Sequence, residues 1–162
     1  MQKISPFIWF VDNAEEAVNY YMTTFKNAKI VSEQRYDAES AKVSGRPEGS
    51  IMVMDFEIEG QSFQALNGGV VPGFERSSMV SFVVNCENQE ELDSLWNKLT
   101  DGGQIQQCGW CVDKFGVTWQ IIPRRLNELL ADPDKAKAGR VMHAMLQMKK
   151  IIIADLEKAA QT

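Results

Sequence analysis

Two glutamines in matching surroundings, three cysteines, a single histidine and a few strand carboxylates are the residues of this chain whose type and spacing could do chemistry. Gln64 lies in Gly60-Gln61-Ser62-Phe63-Gln64-Ala65-Leu66, and Gln120 in Gly116-Val117-Thr118-Trp119-Gln120-Ile121-Ile122, 56 positions on. A neutral amide both donates and accepts, so such a pair suits a small, neutral, partly aromatic or carbonyl-bearing ligand held by few polar anchors. The competing reading is that the two amides bond each other or the backbone. Cys108-Gly109-Trp110-Cys111 has the spacing of a redox or metal pair. Its flanks read as strand ending in an Asp113 to Gly116 turn, however, so no helix N-terminus lowers a thiol pKa and the two sulfurs point to opposite faces. Cys86 is predicted at a strand end, and all three read as packing residues. His143 falls in the C-terminal helical tail as a surface or interface residue, and no Ser/His/Asp set can be assembled around it. Acid-base work would need Asp55, Glu57 or Asp113 to turn inward, which requires a strand register off by one. Glu15, Glu16, Glu90 and Glu91 belong to exposed first helical turns, where they complement the macrodipole.

The elements that must position the glutamines occur twice. Asn13-Ala14-Glu15-Glu16-Ala17 is answered by Asn88-Gln89-Glu90-Glu91-Leu92, each an Asn-x-x-Glu helix start followed by a ring, Tyr21 or Trp96. The first copy reads as strand 4–11, a helix capped by Asn13, strand 29–36, and strands 50–58 and 61–66 joined by a tight Glu59-Gly60 turn. Between the second and third strands, the polar Asp37 to Gly49 stretch has no counterpart in the second copy and reads as a surface loop or flap. The linker spans Asn67 to Ser77. The second copy runs through strand 79–86, helix 88–100 and strands 105–112 and 117–122. Beyond Pro123 the pattern turns helical, with Leu126, Leu129 and Leu130 on one face, Asp132-Pro133 as a cap, and a Met-rich stripe of Val141, Met145 and Met148 flanked by Met142 and Leu146.

Composition bounds the function class. The chain has 162 residues, 44% of them hydrophobic, enough for one real core. It holds no apolar run near the ~20 residues that span a bilayer and no signal-like N-terminus, which predicts a cytoplasmic protein with no membrane partner. A net charge of −5 argues against a phosphate-backbone footprint, so nucleic acid is not an expected partner.

Paired strand-helix-three-strand modules resemble the glyoxalase/bleomycin-resistance/dioxygenase superfamily, the vicinal oxygen chelate fold. Ala65-Leu66-Asn67-Gly68-Gly69, Cys108-Gly109-Trp110 and Asp113-Lys114-Phe115-Gly116-Val117-Thr118-Trp119-Gln120-Ile121-Ile122-Pro123 resemble its PhnB-like branch, whose members carry the description 3-demethylubiquinone-9 3-methyltransferase. The resemblance implies one α+β domain over 1–162, with module one at 1–69, module two at 78–123 and a helical tail at 124–162, the modules forming a curved mixed sheet. It also implies a homodimer, to which Met142, Met145, Leu146, Met148 and Ile152 would contribute. A methyltransferase cofactor would want a glycine-rich turn opening a helix, but Asn67-Gly68-Gly69 leads into Val70-Val71-Pro72-Gly73, which starts none. Metal-dependent relatives take ligands from the first and last strand of each module. The repeat offsets put Pro6 with Ser81 and Gln64 with Gln120 there, none a usual anchor for a catalytic divalent ion. Alternation then places Pro6, Ile8, Phe10, Ser62, Gln64, Leu66, Met79, Ser81, Val83, Thr118, Gln120 and Ile122 on the concave side. The ligand-binding candidates are Ile8, Phe10, Gln64, Leu66, Ser81, Thr118 and Gln120. The expectation is a metal-free, cofactor-free cup for a small, largely apolar organic ligand. An enzyme of the superfamily, a lyase, dioxygenase or methyltransferase-like protein, is the alternative.

Overall fold

The computed structural model describes residues 4–70 and 80–161, which fall into two compact units, Met1–Glu75 and Arg76–Thr162. Unit 1 contains β1 (Phe7–Phe10), α1 (Ala14–Thr24), β2 (Ala28–Arg35), α2 (Ala38–Ser44), β3 (Ile51–Ile58) and β4 (Gln61–Asn67). Its sheet has the order β1-β4-β3-β2, with β1 parallel to β4 and the remaining pairs antiparallel. Unit 2 contains β5 (Phe82–Cys86), α3 (Gln89–Thr100), β6 (Gln104–Ile105), β7 (Trp110–Val112) and β8 (Thr118–Pro123), then α4 (Arg124–Leu130), α5 (Lys135–Leu146) and α6 (Ile153–Gln161). Its order, β5-β8-β7-β6, repeats unit 1 strand for strand with the same single parallel pair. Each βαβββ module thus closes its own four-stranded mixed sheet, and the predicted α+β class with a helical tail is what the chain adopts.

In unit 1 the helix covers one face of the sheet. Ala14, Ala17, Val18 and Tyr21 of α1 are buried at helical spacing. Tyr21 stacks on Phe56 at 6.2 Å between ring centroids, and Phe56 on Phe63 at 5.3 Å. Met54, Ile58 and Ala65 alternate with those rings and are buried too. Glu59 and Gly60 both take positive φ, 49° and 79°, the backbone of a two-residue I′ hairpin turn. In unit 2 the covered face carries Trp119, Ile121, Cys111 and Cys86, with Leu92, Leu95, Trp96 and Leu99 of α3 buried above it.

Four local readings need correction. The Asp37 to Gly49 stretch holds a helix, α2, closed by a reciprocal Asp37–Ser40 capping box and ended by Gly45 at φ 71°. Strand 105–112 is broken, because Cys108 and Gly109 both adopt positive φ, 58° and 81°, and give their N–H groups to the carbonyls of Met148 and Lys149 at 2.8 and 2.7 Å. The tail connection after α5 therefore takes the place a straight strand would fill. Asp134, not Asp132, caps α5, accepting from the N–H groups of Ala136 and Lys137. Asn13 makes no side-chain cap on α1; Asn67, at the end of β4, accepts from the N–H of Ala14 at 2.8 Å instead.

Candidate functional site

The face of each sheet turned away from its helix carries the glutamines. In unit 1 the register sets Phe7, Gln64 and Asp55 in one row across β1, β4 and β3, and Trp9, Leu66 and Val53 in the next. In unit 2, Val83, Gln120 and Trp110 form the corresponding row. Ser81, two residues before Val83, accepts from Gln120 Nε2 at 2.9 Å.

This register reverses the predicted phase of β1. Ile8 and Phe10 pair with Ala65 and Asn67, on the face opposite Gln64, and Phe10 is buried. Phe7 and Trp9, which the predicted alternation leaves off the concave side, stand on the open face, 53% and 38% exposed. The cause is one residue of loop. The residues that precede the helices, Asn13 and Asn88, are 75 positions apart, but the strand equivalents Phe7 and Val83, which pair with Gln64 and Gln120, are 76 apart. The link from β1 to α1 is one residue longer than that from β5 to α3, so a helix-based offset slips the strand and flips every side chain on it. Ser81 therefore corresponds to Ser5, not Pro6.

The remaining candidates keep their predicted face. Gln64, Leu66, Ser81 and Gln120 are half-buried on the open sides of their sheets. Thr118 and Ile122 share the phase of Gln120 but are only 5% and 8% exposed, so neither presents much surface. Met79 lies outside the described residues, as does most of the linker. Asp55, which the sequence admitted only with the strand register off by one, does share the face of Gln64: its carboxylate accepts from Gln64 Nε2 at 2.8 Å and from the Ser32 hydroxyl. Glu57, two residues on, pairs with Lys29 at 3.3 Å.

Other groups that looked chemical are structural. Asp113 is 3% exposed and saturated: Oδ1 accepts from the N–H groups of Phe115 and Val117 at 2.9 and 3.0 Å, and Oδ2 from the Trp119 indole at 2.9 Å. Cys86, Cys108 and Cys111 are free thiols. Burial pushes Cys86 and Cys111 up to about 12, the reverse of an activated nucleophile. A shallow groove among the tail helices is lined by Arg125, Leu129, Lys137 and Glu157. Its cations are engaged: Arg125 bonds Glu128 and Glu157 at 3.0 and 2.9 Å, and Lys137 bonds Asp132 at 2.6 Å.

A βαβββ module that occurs twice, each time with its helix on one face of its sheet, is the glyoxalase-like fold. The family model described as 3-demethylubiquinone-9 3-methyltransferase matches residues 2–122, and the chain belongs to that family. A PhnB protein from Bacillus cereus, described as a putative 3-demethylubiquinone-9 3-methyltransferase, is 34% identical with a TM-score of 0.67, over 75% of this chain and 99% of that one. Protein PA1353 from Pseudomonas aeruginosa is 20% identical with a TM-score of 0.57, over 76% of this chain and 98% of its own. No protein of curated function matches.

The groups that family names imply do not fit the residues present. At the strand positions where metal-dependent relatives carry ligands, this chain offers neutral amides and serine hydroxyls. Those are weak donors for a divalent ion that favours imidazole, carboxylate or thiolate. Among the described residues no group of three or more His, Cys, Asp or Glu side chains could hold a metal. The Gly68-Gly69 pair is not open to a methyl donor either. Its N–H groups bond the carbonyls of Phe10 and Val11, both at 2.9 Å, and a Cβ at Gly68 would fall 2.2 Å from the Trp9 indole. The chain's own ring fills that hollow.

Proposed function

We propose that each module of this protein binds a small, largely apolar organic ligand on the open face of its sheet, without a metal, with Gln64 as the polar anchor in unit 1 and Gln120 in unit 2. The observation that carries the reading is that each module sets one amide at the same register position, on the face its helix leaves uncovered, beside apolar side chains: Phe7, Trp9 and Leu66 in one unit, Val83 in the other. Leu66 completes the contacts in unit 1, where Phe7 and Trp9 take the roles first given to Ile8 and Phe10, and Ser81 and the rim of Thr118 complete those in unit 2. Few polar groups in an apolar surround is the usual make-up of a small-molecule site. Replacing Gln64 or Gln120 with Leu should leave folding nearly intact and weaken the retained ligand by about 1–2 kcal/mol, the worth of a neutral hydrogen bond. Native mass spectrometry of the purified protein identifies what is retained, and calorimetry with that compound reads the change. Stoichiometric Zn²⁺, Ni²⁺ or Fe²⁺ by elemental analysis, lost on replacing Gln64 or Gln120, would refute the metal-free reading.

Catalysis is the second reading, and Asp55 favours it, since it puts a titratable group within hydrogen-bond reach of Gln64. Loss of turnover in Asp55→Asn with ligand affinity retained would select it.

We infer further that the chain is a cytoplasmic homodimer. Among the described residues no helix is long and apolar enough to cross a membrane. Met142 and Leu146, one helical turn apart on α5, are 39% and 50% exposed, with Met145 half-buried beside them. Sedimentation should give a dimer at tens of micromolar, roughly the range of such assays, and Leu146→Glu should shift it to monomer. A wild-type monomer there would count against the pairing.

A further inference from the structure

Beside its amide, the open face of unit 1 carries a charge where the repeat carries a ring. The residue opposite Gln120 on β7 is Trp110, but the residue opposite Gln64 on β3 is Asp55. Both side chains that bond Asp55, Gln64 and Ser32, are neutral donors. An ionised carboxylate offers about four acceptor positions, so room remains for incoming donors. Lys29, on the edge of the same face, is already engaged by Glu57 at 3.3 Å. Among the described residues no cation pairs with Asp55. Toward one end of the face the surface is aromatic and apolar, where Phe7 heads the row of Asp55 and Trp9, Leu66 and Val53 form the next; toward the other lie Ser62 and the Glu57–Lys29 pair.

A carboxylate with spare acceptor positions beside exposed rings recognises one chemical class well. The charge takes an ammonium by a charge-assisted hydrogen bond, and the ring faces favour both a cation and an apolar body. We propose that the open face of unit 1 binds a small organic cation, a protonated amine carried on an aromatic or apolar body. The ammonium sits on Asp55 and the body lies along Phe7 and Trp9. This proposal rests on the ligand-binding reading of the face.

The test is calorimetry on the full chain at neutral pH and low salt with three isosteric probes: benzylamine, benzyl alcohol and benzoate. Benzylamine should bind about tenfold more tightly than benzyl alcohol, with benzoate weakest, and added salt should shrink the preference. Asp55→Asn should lower benzylamine to the level of the alcohol, whereas Phe7→Ala should weaken all the probes that bind. Equal affinity of wild type for the alcohol and the amine overturns the cation inference and leaves the ligand face standing. Failure of all three to bind up to on the order of 10 mM, a free energy below about 3 kcal/mol, overturns both. The salt series on wild type keeps the test decisive if Asp55→Asn does not fold.

Discussion

Replacing Asp113 with Ala should destabilise the protein by about 3–5 kcal/mol, because it strands three buried N–H groups that a single carboxylate now satisfies. Those donors span the β7–β8 turn and tie it to the indole of Trp119 in the core of unit 2, so the loss falls on the hairpin that carries Gln120. Asp113→Asn should cost roughly half as much by the same reasoning. It keeps an oxygen for the backbone of Phe115 and Val117 but turns an NH2 toward the Trp119 N–H, setting donor against donor. Combining Asp113→Asn with Trp119→Phe removes that conflict, so the two losses should sum to less than their separate values. Urea denaturation of the four proteins reads this directly. A loss below about 1 kcal/mol for Asp113→Ala would show that the buried carboxylate is dispensable.

The second large effect belongs to Asn67. Its side chain caps α1 through Ala14 and donates to the Ile51 carbonyl at 3.1 Å, and its own carbonyl accepts from the Tyr36 hydroxyl at 2.7 Å. Asn67→Ala keeps the last bond and loses the first two, at an expected cost of about 2–3 kcal/mol. Asn67→Asp keeps the cap but faces a carboxylate to the Ile51 carbonyl, so its stability should fall between those of wild type and Asn67→Ala. The controls sharpen the claim. Asn13→Ala, at the position the helix sequence nominates as cap, should change stability by less than about 0.5 kcal/mol, whereas Asn88→Ala, which removes a real cap to Glu91 at 2.9 Å, should cost about 1 kcal/mol. Thermal melts followed by circular dichroism give the order. Asn13 proving as costly as Asn67 would overturn this account of α1.

What the sequence made legible follows from where its signals are local. The two modules, the helices α1 and α3, the Glu59-Gly60 hairpin and the Leu126 and Leu129 face all announce themselves by periodicity or turn chemistry within a dozen residues. The phase of β1 does not, because Pro6-Phe7-Ile8-Trp9-Phe10-Val11 is apolar on both faces and alternation says nothing. Borrowing the phase from the neighbouring helix failed on one extra loop residue, and with it went Ile8 and Phe10; the side taken by Asp55 follows instead from the Glu59-Gly60 hairpin, whose two-residue turn sets it opposite Gln64. The helix α2 escaped because seven residues make little pattern and its capping box is Asp37 with Ser40 rather than a hydroxyl with Glu. The break at Cys108 depends on a partner segment some forty residues downstream, which no local window contains. Gln64 and Gln120 were found because repetition, unlike packing, is visible in one dimension.

The different caps on α1 and α3 make the two halves of this near-repeat differ in cooperativity. Asn88 belongs to the segment that enters α3, so that helix carries its own start and fraying of β5 from β8 need not uncap it. Asn67 is 53 residues from the N–H it satisfies, at the far end of the strand that pairs with β1. Peeling β4 from β1 therefore also exposes the first turn of α1, and unravelling that turn weakens the strand pair. In unit 1, sheet edge and helix end open as a single event; in unit 2 they can open separately.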